Sequence, residues 1–297
     1  MDGNIYASVP HAETQRTLAG GAIHLAALGR EYGKKDDKKA PEVVNWTFSN
    51  LQKPEDAKKE SPLTKYLPTI AKNLGVGEIL VPSPVKFSGE FCKYPDLNVP
   101  IELEGGLVVR RGAFADGCML GLRQSFMISG AGCAVIVAWR YGVPNYGPLK
   151  CVAVAHCGLM SALNGVMQNL VCAMQQEGEN MEDAAKEAHV SIEFPISSDL
   201  LTYPWDDPEL GALQQALCEY IFHEWGAECV PGYLDPARQR QGAIELAAIG
   251  IQRLLDTGVP RSQITFNNMI SRWNQDALYH TRDGLNGRNL FMVTRYR

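Results

Sequence analysis

Two residues have the types and the spacing for nucleophilic chemistry. Cys133 stands at the glycine-rich lead into an apolar run, SGAGCAVIVAW (129–139), and His156 stands at the exit of the next such run, CVAVAHCG (151–158). A thiol that attacks a carbonyl or amidine carbon needs a base, a partly open position and backbone donors nearby. Gly130 and Gly132 supply the openness, because a backbone with no side-chain bulk can turn sharply and aim N–H groups at a developing oxyanion. The separation of 23 residues (156 − 133) fits a strand, a turn-rich excursion (YGVPNYGP) and a second strand returning beside the first. Composition leaves a second reading open, in which the thiol fills a core and the imidazole satisfies a helix start or a carbonyl.

The elements that would position this pair are strands and helices in irregular order. From residue 78, EILVP, VPIELE and GLVVRR read as short strands punctuated by Pro and Gly. FMIS, AVIVAW and CVAVAH are continuously apolar, which suits strands covered on both faces of a central sheet. Helices are expected over 13–29, from Gly158 through GLMSALNGVMQNLVCAMQQ, through ELGALQQALCEYIFHEW, and through QGAIELAAIGIQRLLDTG. The third of these carries a stripe of Leu210, Leu213, Leu217 and Ile221. The fourth carries Ile244, Ala248, Ile251 and Leu255, with Gly258 as its stop. Without a regular βαβ alternation, the fold class is α+β, a mixed β-sheet layered sandwich with flanking helices. Residues 1–77 are expected to form an amino-terminal helix and a charged excursion (30–62) packed on a main domain of 78–297.

Bulk properties narrow the function. Lys+Arg of 28 against Asp+Glu of 33 gives a net charge of −5, which argues against a protein built to grip phosphate backbones. No apolar stretch is long enough to span a membrane, and MDGNIYASVPHAETQR has no signal-peptide pattern, so a chain beginning at Met1 in the cytoplasm is expected. Eight cysteines with no CxxC pair are expected as reduced thiols. Asp116, in FADG, reads as a turn or capping residue that orients its loop.

Several segments, in order, resemble the YfiH-type laccase-domain family: FADGCML (114–120), FMISGAGCAVIV (126–137), VAVAHCGLMSALNGV (152–166), AIELAAIGIQRLLDTGVPRSQITF (243–266) and YHTRDGLNGRNLFMV (279–293). The resemblance implies a mixed sandwich similar to that of the cytotoxic necrotizing factor toxins and the chemoreceptor deamidase CheD. In those cysteine deamidases a glycine-rich lead, a cysteine, a β-run and a histidine make the catalytic arrangement, so Cys133 is implied as nucleophile and His156 as base and acid. Arg282 and Asp283 match the family's terminal motif and are implied in binding an anionic substrate group, or in an ion pair that fixes a turn. Zinc is the metal the family implies, held by a histidine, a cysteine and a second histidine. Here only His156 matches, the other two positions reading as Pro195 and Ala243, with His189, His223, Cys218 and Cys229 as substitutes to consider. No cofactor is therefore expected. The implied activity is hydrolysis of a C–N amide bond in a small-molecule or protein substrate. The alternatives are zinc-dependent purine nucleoside chemistry and a catalytically inactive binding relative.

Overall fold

The structure, a computed structural model, describes residues 15–28, 62–83, 88–130, 132–143, 146–267 and 289–297. Most of the charged excursion, together with Arg282 and Asp283, lies outside the described residues. The helix expected over 13–29 is instead a hairpin, β1 (Gln15–Leu18) and β2 (Ile23–Leu28), with Leu18 opposite Ile23. Gly20 and Gly21 decide this: they take φ of 62° and 84°, a left-handed backbone that ends a helix and reverses a chain. A helix not anticipated from the pattern follows, α1 (Pro62–Leu74), whose Leu67, Ile70 and Ala71 are buried. The next short elements are β3 (Glu78–Leu80), β4 (Phe91–Cys92), β5 (Val99–Glu102), β6 (Val108–Arg111) and β7 (Gly117–Met119).

The long apolar strands come next: β8 (Gln124–Gly130), β9 (Ala134–Val143) and β10 (Tyr146–Cys157). The helix expected from Gly158 is two, α2 (Leu159–Leu163) and α3 (Val166–Ala173), broken where Gly165 takes φ 91°. After α4 (Met181–Glu187) and β11 (His189–Glu193) come α5 (Gly211–Trp225), α6 (Leu246–Asp256), β12 (Ile264–Asn267) and β13 (Asn289–Arg295). No helix among the described residues is long and apolar enough to cross a membrane.

Two sheets result, one ordered β1-β2-β13-β8-β3-β6-β5 and the other β12-β11-β9-β10-β7-β4. The α+β layered sandwich is therefore as expected, with the amino-terminal hairpin joined through β13 to the same sheet as β8. FMIS and AVIVAW do not share a sheet, however: β8 lies inside the first and β9 inside the second, so the glycines before Cys133 carry the chain from layer to layer.

Alternation of side chains along each strand assigns the faces. In the first sheet Met127, Leu290 and Met292 lie under α1, while Phe126, Ile128, Phe291 and Val293 join the main core. In the second, Ala155, Ile136 and Ile192 lie in one row, and a Cβ on Gly250 of α6 would come within 2.8 Å of Ile192, so this row faces the helices. The neighbouring row, His156, Val135 and Glu193, faces the first sheet, and Arg16 of β1 reaches Glu193 at 3.5 Å.

Both expected helical stripes shift. In α6 the buried residues are Leu246, Ala247, Ile249, Gly250 and Leu254, because the helix starts only after Ile244 and packs the adjacent face. In α5, Leu210 and Leu213 are exposed and only Ile221 of that stripe is buried. Arg140, midway along β9, is fully buried and bonded to Glu179 at 2.6 Å and to Glu187, which ties the segment before α4 and its last residue to the sheet and holds the Glu179 carboxyl down at about 2.

Candidate active site

Each member of the site owes its place to a strand end. Antiparallel register sets Val135 opposite His156 and Ala134 opposite Cys157, so Cys133, one residue before β9, falls beside the end of β10. Gly132 makes the approach possible: it is buried and has φ 122°, a conformation closed to other residues on steric grounds. Cys133 itself is only partly buried. On the other side of β10, β7 pairs Gly117 with Ala155, and the His156 N–H donates to the Asp116 carbonyl at 2.8 Å. Asp116 is thereby the cross-strand neighbour of His156, with its side chain on the same face.

The polar groups form one connected set. Asp116 Oδ1 lies 3.2 Å from His156 Nδ1 and accepts the Ser161 hydroxyl of α2 at 3.0 Å. Asp116 Oδ2 accepts the Gly89 N–H at 2.7 Å. Asp116 has no exposed surface and His156 is 1% exposed, so their attraction acts in a poorly screened interior. Burial pushes the imidazole pKa down, but the negative charge of Cys133, the Asp116 hydrogen bond and a hydrogen bond with Cys133 outweigh it and lift His156 to about 9. Since Nδ1 is engaged by Asp116, Nε2 is the ring nitrogen left for proton exchange with the thiol. An imidazole oriented by a carboxylate and paired with a thiol can make an anionic sulfur nucleophile and carry a proton.

The pair expected from the residue types is thus brought together, and Asp116, read as a turn residue, is its third partner. Its signal was weak, since an Asp before Gly is ordinary turn chemistry. Only the register of β7 against β10 reveals the role. Gly130 lies at the end of β8, across the layer boundary from Cys133.

Gly158 has a different importance. Its φ of −85° and ψ of 175° suit any L residue, yet a Cβ there would lie 3.2 Å from Cys133 Sγ and 3.7 Å from His156 Cε1. Its lack of a side chain keeps one approach to the sulfur open. Gly158→Ala should slow alkylation of Cys133 by iodoacetamide about tenfold, as expected for a reacting sulfur crowded by a methyl group. An unchanged rate, followed by mass spectrometry of the Cys133 peptide, would show that reagents reach the sulfur from elsewhere.

The described residues do not fit the zinc ion implied by the resemblance. Pro195 and Ala243 offer no donor, which leaves His156 alone among the three positions the resemblance implies. No group of three or more His, Cys, Asp or Glu among the described residues could hold a metal ion. The substitutes His189, His223, Cys218 and Cys229 are all described residues and form no such group with His156; His189 instead stacks on Trp139 with ring centroids 5.7 Å apart.

Comparison with solved structures gives the fold a precedent. The chain is similar to a hypothetical protein, YfiH, from Bacillus licheniformis, with a TM-score of 0.60 and 15% identity over 96% of this chain and 97% of that one. Neisseria meningitidis NMB0706 matches at 0.59 and 16%, over 95% and 99%. Geobacillus stearothermophilus YlmD matches at 0.60 and 15%, over 97% and 98%. No family model matches the sequence, and no curated protein does. The two-sheet architecture is the YfiH-type fold over nearly its whole length.

Proposed function

On this YfiH-type fold, we propose a cysteine hydrolase that cleaves a carboxamide C–N bond, with Cys133 as nucleophile, His156 as proton carrier and Asp116 as the residue that orients the ring. The observation that carries the reading is the linked set Cys133, His156 and Asp116, in which a thiol shares an interior imidazole with a buried carboxylate. The proposed arrangement is similar to that of the cytotoxic necrotizing factor and CheD deamidases.

The steps follow from the chemistry. His156 Nε2 takes the thiol proton, and the sulfur attacks the carboxamide carbon to form the C–S bond. The carbonyl electron pair moves onto oxygen, where backbone N–H groups about Gly132 are aimed in this reading, with Gly130 behind them. When the oxyanion collapses the C–N bond breaks, and the imidazolium returns its proton to nitrogen so that ammonia leaves. Water, deprotonated by the same imidazole, attacks the thioester; the carboxylic acid departs and the thiol is restored. In this proposal Arg282 and Asp283 contribute to substrate binding.

Two measurements test the reading together. The protein should release ammonia from a carboxamide, and limiting iodoacetamide should label Cys133 before the other seven cysteines and inactivate the enzyme in proportion. Cys172 is the internal control, since it is exposed whereas Cys133 is partly buried. Exposure alone favours Cys172, so faster labelling of Cys133 requires activation by its surroundings. Labelling of Cys172 first, in a protein that releases no ammonia, would favour the inert binding relative; ammonia release that survives labelling of Cys133 would place the chemistry at another residue.

A further inference from the structure

A second feature lies at the same end of the β9–β10–β11 sheet. β11 ends at Glu193, opposite Val135, two residues beyond Cys133. Five residues later, at Ser198, the chain enters one wall of a cleft of about 620 Å³. The other wall comes from the segment before α6, which also starts at this end: β12 runs parallel to β11, so α6, immediately before it, must return from the end where β11 stops. The walls are bonded directly, Tyr203 N–H to the Gly242 carbonyl at 2.8 Å, Trp205 N–H to Arg240 at 3.0 Å and Ile244 N–H to Leu201 at 2.9 Å. Gly242 fixes this closeness, since at φ 57° its Cβ would fall 1.8 Å from the Tyr203 oxygen. The cleft is a built feature rather than a gap between mobile side chains.

Its lining has a defined chemical sense. Asp199 and Asp206 come from one wall and Arg238 and Arg240 from the other, with the polar side chains of Ser198 and Thr202 among them. Both arginines are exposed, and neither makes an ion pair with a described residue. A planar guanidinium binds a carboxylate through two parallel hydrogen bonds, and a carboxylate accepts from an ammonium. Two guanidiniums and the Asp206 carboxylate lining one cleft match a ligand that carries both charges on a short backbone. The volume lies within the roughly 300–1,000 Å³ common for small-molecule sites and admits more than one amino acid.

We propose that this cleft binds the free ends of a short peptide, its carboxylate at Arg238 and Arg240 and its ammonium at Asp206, and so selects a peptide carboxamide as the substrate. The substrate assignment rests on the amidase reading; the binding of a zwitterionic peptide does not.

The experiment separates the two. Glycyl-L-glutamine, a zwitterion with a side-chain carboxamide, is titrated calorimetrically into the full-length Cys133→Ala protein, in which chemistry is stopped. N-acetyl-L-glutamine methylamide, with both ends blocked, is the control. The dipeptide should bind and the blocked compound should bind at least tenfold more weakly. In the same background Arg238→Gln with Arg240→Gln, and separately Asp206→Asn, should each weaken dipeptide binding at least tenfold while leaving the thermal midpoint unchanged. Equal binding of the two compounds, no binding at millimolar concentration, or indifference to these surface substitutions would overturn the proposal. Dipeptide binding that depends on Arg238 and Arg240, in a wild-type protein that releases no ammonia from it, would uphold the cleft while removing the amidase.

Discussion

Cys133→Ala should lower carboxamide hydrolysis by at least about a thousandfold while leaving the folded protein intact. Loss of a nucleophile removes the covalent route altogether, and what remains is binding and electrostatic help to water, far slower in enzymes of this kind. The fold has little to lose. Cys133 is partly buried, forms no disulfide and precedes β9 rather than packing within it. Removing one sulfur from such a position costs on the order of 1 kcal/mol at most. Cys133→Ser is the sharper companion, because it keeps the shape and the hydrogen-bonding capacity but has a far weaker nucleophile; it too should fall by at least about a hundredfold. The measurement is steady-state ammonia release, with the circular-dichroism melting curve recorded on the same samples. Activity that survives in Cys133→Ala with an unchanged melting curve would transfer the chemistry elsewhere and leave the thiol as core filler. Loss of activity together with loss of the melting transition would be uninformative for alanine, and the serine variant then carries the test.

How much of this was readable in the sequence depends on which physical signal each element leaves. β9 and β10 announce themselves as apolar runs close together in the chain, so the approach of His156 to Cys133 was legible from spacing; YGVPNYGP, read as an excursion between them, is mostly strand, since β9 runs to Val143 and β10 starts at Tyr146. The hairpin of β1 and β2 was not: QRTLAGGAIHLAAL satisfies helical periodicity, and only the φ values taken by Gly20 and Gly21 settle the matter as a turn. α1 was hidden for a related reason. It follows a charged stretch and carries Pro68 inside it, which removes a helical hydrogen bond, yet packing of Leu67 and Ile70 against Met127 and Met292 outweighs that local cost. The stripes of α5 and α6 were predicted from spacing that is itself correct for a helix, but spacing does not say where the helix begins. Ile244 lies in the extended segment bonded to Leu201, so the buried face turns toward Ile249 and Leu254. The cleft beside Arg238 and Arg240 left no pattern at all, because its two walls are some 40 residues apart and meet only through backbone hydrogen bonds.

The same limit explains why Asp116 was undervalued, and it makes Asp116→Asn the most discriminating substitution after Cys133. Asparagine has the same shape, but one of its two terminal atoms must donate. If its oxygen keeps the Gly89 N–H, its NH₂ faces Ser161 and His156 Nδ1. The serine hydroxyl can turn to accept. The ring cannot turn, so Nδ1 must become the acceptor and the proton moves to Nε2, the nitrogen needed to take the thiol proton. A wrong tautomer in an otherwise intact site should reduce kcat about 10²- to 10⁴-fold, the scale known for carboxylate-to-amide changes in serine proteases, with KM little altered. The stability profile supplies a second readout. His156 is lifted from an unfolded value of 6.5 to about 9, so its charged form stabilises the fold in full below pH about 6.5, and that contribution is lost as the pH rises through about 9. In Asp116→Asn one source of the lift is gone, and the decline in unfolding free energy between pH 6.5 and 9 should be shallower than in the wild type. Urea titrations at pH 6 and pH 9 measure it. A variant with normal kcat and the wild-type pH profile would return Asp116 to the role its FADG context suggested, a residue that fixes the turn at Gly89 and does nothing for the imidazole.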